Sequence, residues 1–156
     1  VALMAEGTNF YLLIVGDGPE KPHLLKLATE CLIQAKLPSD RVRFIGKVPI
    51  GHDAFWLNIA DVSVMGGATG LALNVSMGNE TATVIADESG SDAELLEHRI
   101  NGLRYKIGNV SDLRQNIELL IKDMYFSNAI GKKARETVLD RATVPKMVDG
   151  FINAVR

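Results

Sequence analysis

Short apolar runs and helical stretches alternate along the chain. Runs at residues 10–16, 42–46, 61–65, 82–86 and 103–106 read as strands, and the stretches 22–35, 53–59, 70–78 and 92–99 carry helical patterns. Leu12, Leu13, Ile14 and Val15 are apolar at successive positions. A half-exposed strand alternates in polarity, so this run predicts a strand covered on both faces, as in a parallel sheet with helices on each side. Strand–helix alternation with short connections predicts right-handed βαβ units, and hence an α/β fold with a doubly wound parallel sheet. Past the last strand, Leu113, Ile117, Leu120 and Ile121 share one face of a helix expected over 110–124. Two more helices are expected at 127–141 and 145–155. No internal repeat, low-complexity tract or linker interrupts the pattern, so residues 1–156 read as one domain. The opening residues 1–5 read as the tail of a helix, and the chain is expected to be part of something longer.

Helix starts and turns have their own signals. Ser91 and Glu94 have capping-box spacing, in which the serine caps the helix and the glutamate returns a bond to its backbone. Ser111-Asp112 and Thr143 read as simpler caps, the latter followed by Pro145 near the first turn. Gly7-Thr8 and Pro38-Ser39-Asp40 are turn signals.

Composition narrows the function classes. At 47% hydrophobic and 23% charged, the chain can build a core and is not disordered. Its net charge is −2 with no block of Lys or Arg, which removes the main driving force for binding nucleic acid or an acidic membrane. No apolar run is long enough to span a bilayer, and no signal peptide is visible. The single cysteine, Cys31, excludes an internal disulfide, and three histidines far apart in sequence argue against a zinc site. A reducing cytoplasm is the expected compartment.

Glycines end three of the expected strands. Gly16-Asp17-Gly18-Pro19 lets backbone N–H groups approach a ligand at the mouth of a sheet, although the same residues also make an ordinary turn. Gly66, Gly67, Thr69, Gly70 and Leu71 lead from a strand into a helix, where free N–H groups and the helix dipole favour an anion by about 0.3–1 kcal/mol. The plain alternative is a strand-to-helix turn that needs positive φ. Gly46-Lys47-Val48 ends its strand at the same expected edge, with Lys47 itself read as a solvated side chain. Asp17 is expected to satisfy N–H groups of its own turn, and Trp56 to pack in or at the edge of a core. His23, His52 and His98 are expected to face solvent. Glu94 is accounted for by its capping spacing. Gly16-Asp17-Gly18 continues as Pro19-Glu20-Lys21, so the dinucleotide fingerprint Gly-x-Gly-x-x-Gly is not met and a dehydrogenase is a weaker reading.

Taken in order, these segments resemble the carboxyl-terminal, donor-binding half of GT-B glycosyltransferases, and within them the large retaining group often called family 4. The resemblance rests on residues 12–19, on 41–48 (Arg-Val-Arg-Phe-Ile-Gly-Lys-Val) and on the helix and strand from Trp56 through Val64. It continues through Gly70-Leu71, the strand 83–87 and the stretch 92–103, which ends Ile-Asn-Gly-Leu. It implies a Rossmann-like fold that holds a UDP- or GDP-sugar, with no metal and no other cofactor. The donor would contact Gly16, Gly18, Gly46, Lys47, Val48, Gly66, Gly67, Thr69, Gly70, Leu71 and Asn74. It also implies an acceptor domain elsewhere in a longer protein, facing this half across a cleft. The family commonly carries two glutamates where this chain has Gly67 and Val75, with Asn74 beside the second. One amide grips ribose hydroxyls less well than a carboxylate. The family's first strand, its Arg and its Lys have no counterpart here, and that strand would be central, between those at 10–16 and 61–65. No residue is nominated as catalytic. The competing reading is a degenerate GT-B-like module kept for binding or assembly.

Overall fold

The computed structural model describes residues 1–49, 51–67, 69–87 and 92–155, the backbone alone at 92 and 93, and falls into two units, Val1–His52 and Asp53–Arg156. The capping role expected of Ser91 lies outside the described residues.

In the first unit a short helix α1 (Ala2–Ala5) precedes strand β1 (Leu12–Val15), helix α2 (Lys21–Gln34), a 3-10 turn (Ser39–Arg41) and strand β2 (Val42–Gly46). β1 and β2 pair in parallel, Leu12 opposite Val42, and the register shifts between Ile14 and Val15 so that Val15 faces Gly46. Here the expectation of two covered faces fails: Leu12 is 37% and Val15 49% exposed. Among the described residues β1 pairs with β2 alone. α2 ends in a Schellman motif, with Leu37 N–H donating to the Leu32 carbonyl at 2.9 Å and Lys36 N–H to that of Ile33 at 3.1 Å. Lys36 takes the left-handed position, at φ +53°.

The second unit carries α3 (Asp53–Asn58), β3 (Val62–Met65), α4 (Leu71–Gly78), β4 (Ala82–Ala86), α5 (Asp92–Leu95) and β5 (Leu103–Tyr105). Three helices follow: α6 (Val110–Lys122), α7 (Met124–Arg141) and α8 (Val144–Ala154). β4 lies between β3 and β5, all parallel. Its Ala82, Val84 and Ala86 face a cluster with Leu103, Tyr105 and Leu120 of α6, while Ile85 faces Leu73 and Met77 of α4 and Ala134 of α7. Helices therefore cover both faces of this sheet, as a parallel sheet requires. Ser76 and Thr83, both buried, share a hydrogen bond of 2.8 Å on the α4 side. Gly131 brings α7 against the chain entering β4, where a Cβ would clash with the Glu80 carbonyl oxygen. Trp56 of α3 is half-buried and meets Phe55 edge-on at 5.3 Å.

The described ladders are β1–β2 and β3–β4–β5, parallel throughout as expected. Several other expectations are corrected. α5 stops at Leu95 instead of continuing to residue 99. There the Asn101 side chain accepts from Glu97 N–H at 2.6 Å and donates to the Leu95 carbonyl at 3.0 Å, giving the backbone an alternative to helix, and Arg99 turns at φ +66°. α6 is capped by Asn109, which accepts from Asp112 N–H at 3.0 Å, not by Ser111-Asp112. Asp123 ends α6 and caps α7, accepting from Phe126 N–H at 2.9 Å, so α7 starts earlier than expected. The Thr143 cap on α8 is observed.

Candidate functional site

Glycines stand at the carboxyl ends of β1, β2 and β3. In the first unit Gly16 (φ +134°) extends the β1–β2 ladder by donating to the Gly46 carbonyl at 2.8 Å. Gly46 turns at φ +81°, and the exposed Lys47 and half-buried Val48 follow it, so this structure brings Gly16, Gly18, Gly46, Lys47 and Val48 to one edge of the strand pair. Asp17 does not bond its own turn. Its carboxylate accepts from Lys21 Nζ at 2.7 Å, because α2 starts at Lys21 and carries that amine back over the turn. The same amine lies 3.8 Å from where a Cβ on Gly46 would sit. Sequence reasoning passed over Lys21.

In the second unit Gly66, Gly67, Thr69 and Gly70 lead from β3 into α4. Gly70 caps the helix at φ +49°, ψ −138°, a conformation that side-chain-bearing residues avoid. The amides expected to be free are only partly so: Ala72 N–H donates to the Thr69 carbonyl at 3.1 Å and Leu73 N–H to that of Gly70 at 3.3 Å. Those of Gly70 and Leu71 have no backbone acceptor among the described residues. Thr69 is buried, Leu71 is 79% exposed, and Asn74 lies half-buried on α4 one turn further along. An anion at this turn meets two amides and the positive end of an eight-residue helix.

β5 adds a side chain that the sequence reading missed. Tyr105 is 8% exposed, and its hydroxyl oxygen lies 3.6 Å from where a Cβ on Gly66 would sit. Beside it, Asp87 at the end of β4 donates its N–H to the Tyr105 carbonyl at 2.7 Å, and its carboxylate lies 3.5 Å from Arg104 Nη1. A lone tyrosine in a short apolar strand reads as core, which hid this position from the pattern.

Other features lie away from the strand ends. His23, His52 and His98 are exposed, and His98 Nδ1 accepts from Arg104 N–H at 2.9 Å. The Glu118 carboxyl is held below its ordinary range first by a hydrogen bond from Lys122, and the Lys133 amine above its range by Glu136. Both are surface pairs on α6 and α7. A shallow concavity of about 640 Å³ lies between these helices, with Leu119, Met124 and Tyr125 in its lining. Among the described residues no group of three His, Cys, Asp or Glu is placed to hold a metal ion, and no helix is long and apolar enough to cross a membrane.

Residues 1–137 match the family described as glycosyl transferases group 1. N-acetyl-alpha-D-glucosaminyl L-malate synthase of Bacillus anthracis is 28% identical over 143 residues, which is 90% of this chain and 35% of that protein. Alr3699/HepE of Anabaena, solved in complex with UDP, superposes with a TM-score of 0.80 at 20% identity, over 99% of this chain and 43% of that one. The C-terminal domain of a glycosyl transferase group 1 family protein (LpcC) from Francisella tularensis gives 0.78 at 17% identity, over 92% of this chain and 75% of that one. This chain therefore spans well under half the length of the first two. Its fold is that of the GT-B glycosyltransferases. With most of its length matched to the family and its fold shared with solved members, the chain belongs to the group 1 glycosyltransferases.

Proposed function

We propose that the chain is the donor-binding half of a glycosyltransferase that moves a sugar from a nucleoside diphosphate-sugar to an acceptor with retention of configuration. The observation that carries this reading is the start of α4, where Gly70 caps the helix at φ +49° and the Gly70 and Leu71 amides have no backbone acceptor among the described residues. Charge builds on the departing diphosphate in such a reaction, and preorganised amides placed there stabilise it without reorganising. The base, uracil or guanine, would meet the backbone around Gly46, Lys47 and Val48, and Asn74 would serve the ribose. No metal enters this scheme, since the dipole and basic groups supplied by the rest of the protein neutralise the phosphates. An acceptor domain in the same longer polypeptide would complete this scheme. The work would take place in the cytoplasm.

A second reading is favoured by one specific observation. Gly67 and Val75 stand where family members commonly carry carboxylates, which suits a degenerate module kept for binding or assembly. Calorimetric titration with UDP and GDP separates the two. Weak but saturable binding of one nucleotide supports the donor-binding half, and no heat at millimolar ligand supports the module.

A further inference from the structure

We propose that the Tyr105 hydroxyl is a ligand-positioning group of the α4 turn, donating a hydrogen bond to a phosphate oxygen of the bound nucleoside diphosphate. This rests on the donor-binding reading above. Tyr105 stands opposite Ala86 in the β4–β5 register, and Met65 stands opposite Ile85 in the β3–β4 register, so Gly66, Ala86 and Tyr105 sit level across three strands. One of these residues has no side chain and another has a single methyl group. The phenol packs with Ala82, Val84 and Ala86, and its oxygen ends beside Gly66 at the first residue of the turn.

Tyr105 is 8% exposed, yet its hydroxyl has no hydrogen-bond partner among the described residues. Buried tyrosine hydroxyls ordinarily find a partner, and phenylalanine would fill the same apolar volume without one to satisfy. A hydroxyl kept there, at the first residue of the turn, has its acceptor supplied by a ligand bound at that turn. The acceptor that also suits the amides at the start of α4 is an anionic oxygen.

The test compares wild type with Tyr105→Phe by calorimetry, using UDP, inorganic pyrophosphate and uridine as probes. Far-UV circular dichroism and the Tm first establish that the variant keeps its fold, which the near-isosteric change favours. Loss of a hydrogen bond to a charged oxygen weakens UDP and pyrophosphate by about tenfold to a hundredfold and leaves uridine unchanged. Equal affinity of both proteins for UDP overturns the proposal. An equal loss for uridine also overturns it, because the tyrosine would then act through packing alone. Gly70→Val is run alongside. If it abolishes UDP binding while Tyr105→Phe does not, the turn stands as the donor site and the tyrosine falls. If wild type binds neither UDP nor pyrophosphate at millimolar concentration, the donor-binding reading fails and takes this proposal with it.

Discussion

At the scale of single residues, Gly70 has the sharpest requirement. Its φ of +49° and ψ of −138° suit glycine alone, and nothing lies within 4 Å of where a Cβ would sit, so backbone conformation rather than space sets the constraint. Gly70→Val is expected to cost about 1–3 kcal/mol of strain and to reduce nucleotide affinity at least tenfold. Urea unfolding and calorimetry measure the two effects separately. The glycines of the site were legible in the sequence because glycine after an apolar run marks a turn wherever it occurs. Tyr105 and Lys21 were not. Their positions depend on the register of β5 against β4 and on where α2 begins, and neither follows from local pattern. Asp17 shows the same limit: one turn of helix placed an amine closer to it than the turn amides it was expected to meet.

At the scale of elements, one helix end and one helix interior make opposite predictions. Lys36 occupies the left-handed position of the α2 Schellman motif, where a side chain is strained and glycine is not. Lys36→Gly is therefore expected to stabilise the first unit by about 0.5–1 kcal/mol, after allowance for the looser unfolded chain. Gly131→Ala has the reverse sign. The added Cβ would meet the Glu80 carbonyl oxygen, a backbone atom that cannot swing aside, and α7 would have to lift from the entrance to β4. Overpacking of this kind costs about 3 kcal/mol, and thermal unfolding of the two variants checks both signs. Strands and helices were largely legible because apolar runs and 3.6-residue periodicity carry the signal. The exceptions were decided by side chains of a single residue. Asn101 stopped α5, Asn109 capped α6, and Asp123 started α7 earlier than expected.

At the scale of the whole molecule, burial is unevenly shared. Leu3, Met4 and Leu32 are the buried apolar side chains of the first unit among the described residues, whereas the second holds both apolar clusters around β4. Two parallel strands are too few for independent stability, so amides of β1 and α2 are expected to exchange hydrogen well before those of β4 and β5. Mass-spectrometric hydrogen exchange over hours tests this, and uniform protection across the two units would contradict it. The order of strands was not legible, because alternation of strands and helices carries no information on which strands pair. The placement of the lone tryptophan then decides what an experimenter sees. Trp56 lies in the second unit, edge-on to Phe55 of the same helix, so indole emission is expected to follow the unfolding of that unit. Far-UV ellipticity counts the helices of both units, and the two curves are expected to separate, so that a single free energy fitted to the emission alone would overstate the stability of the chain.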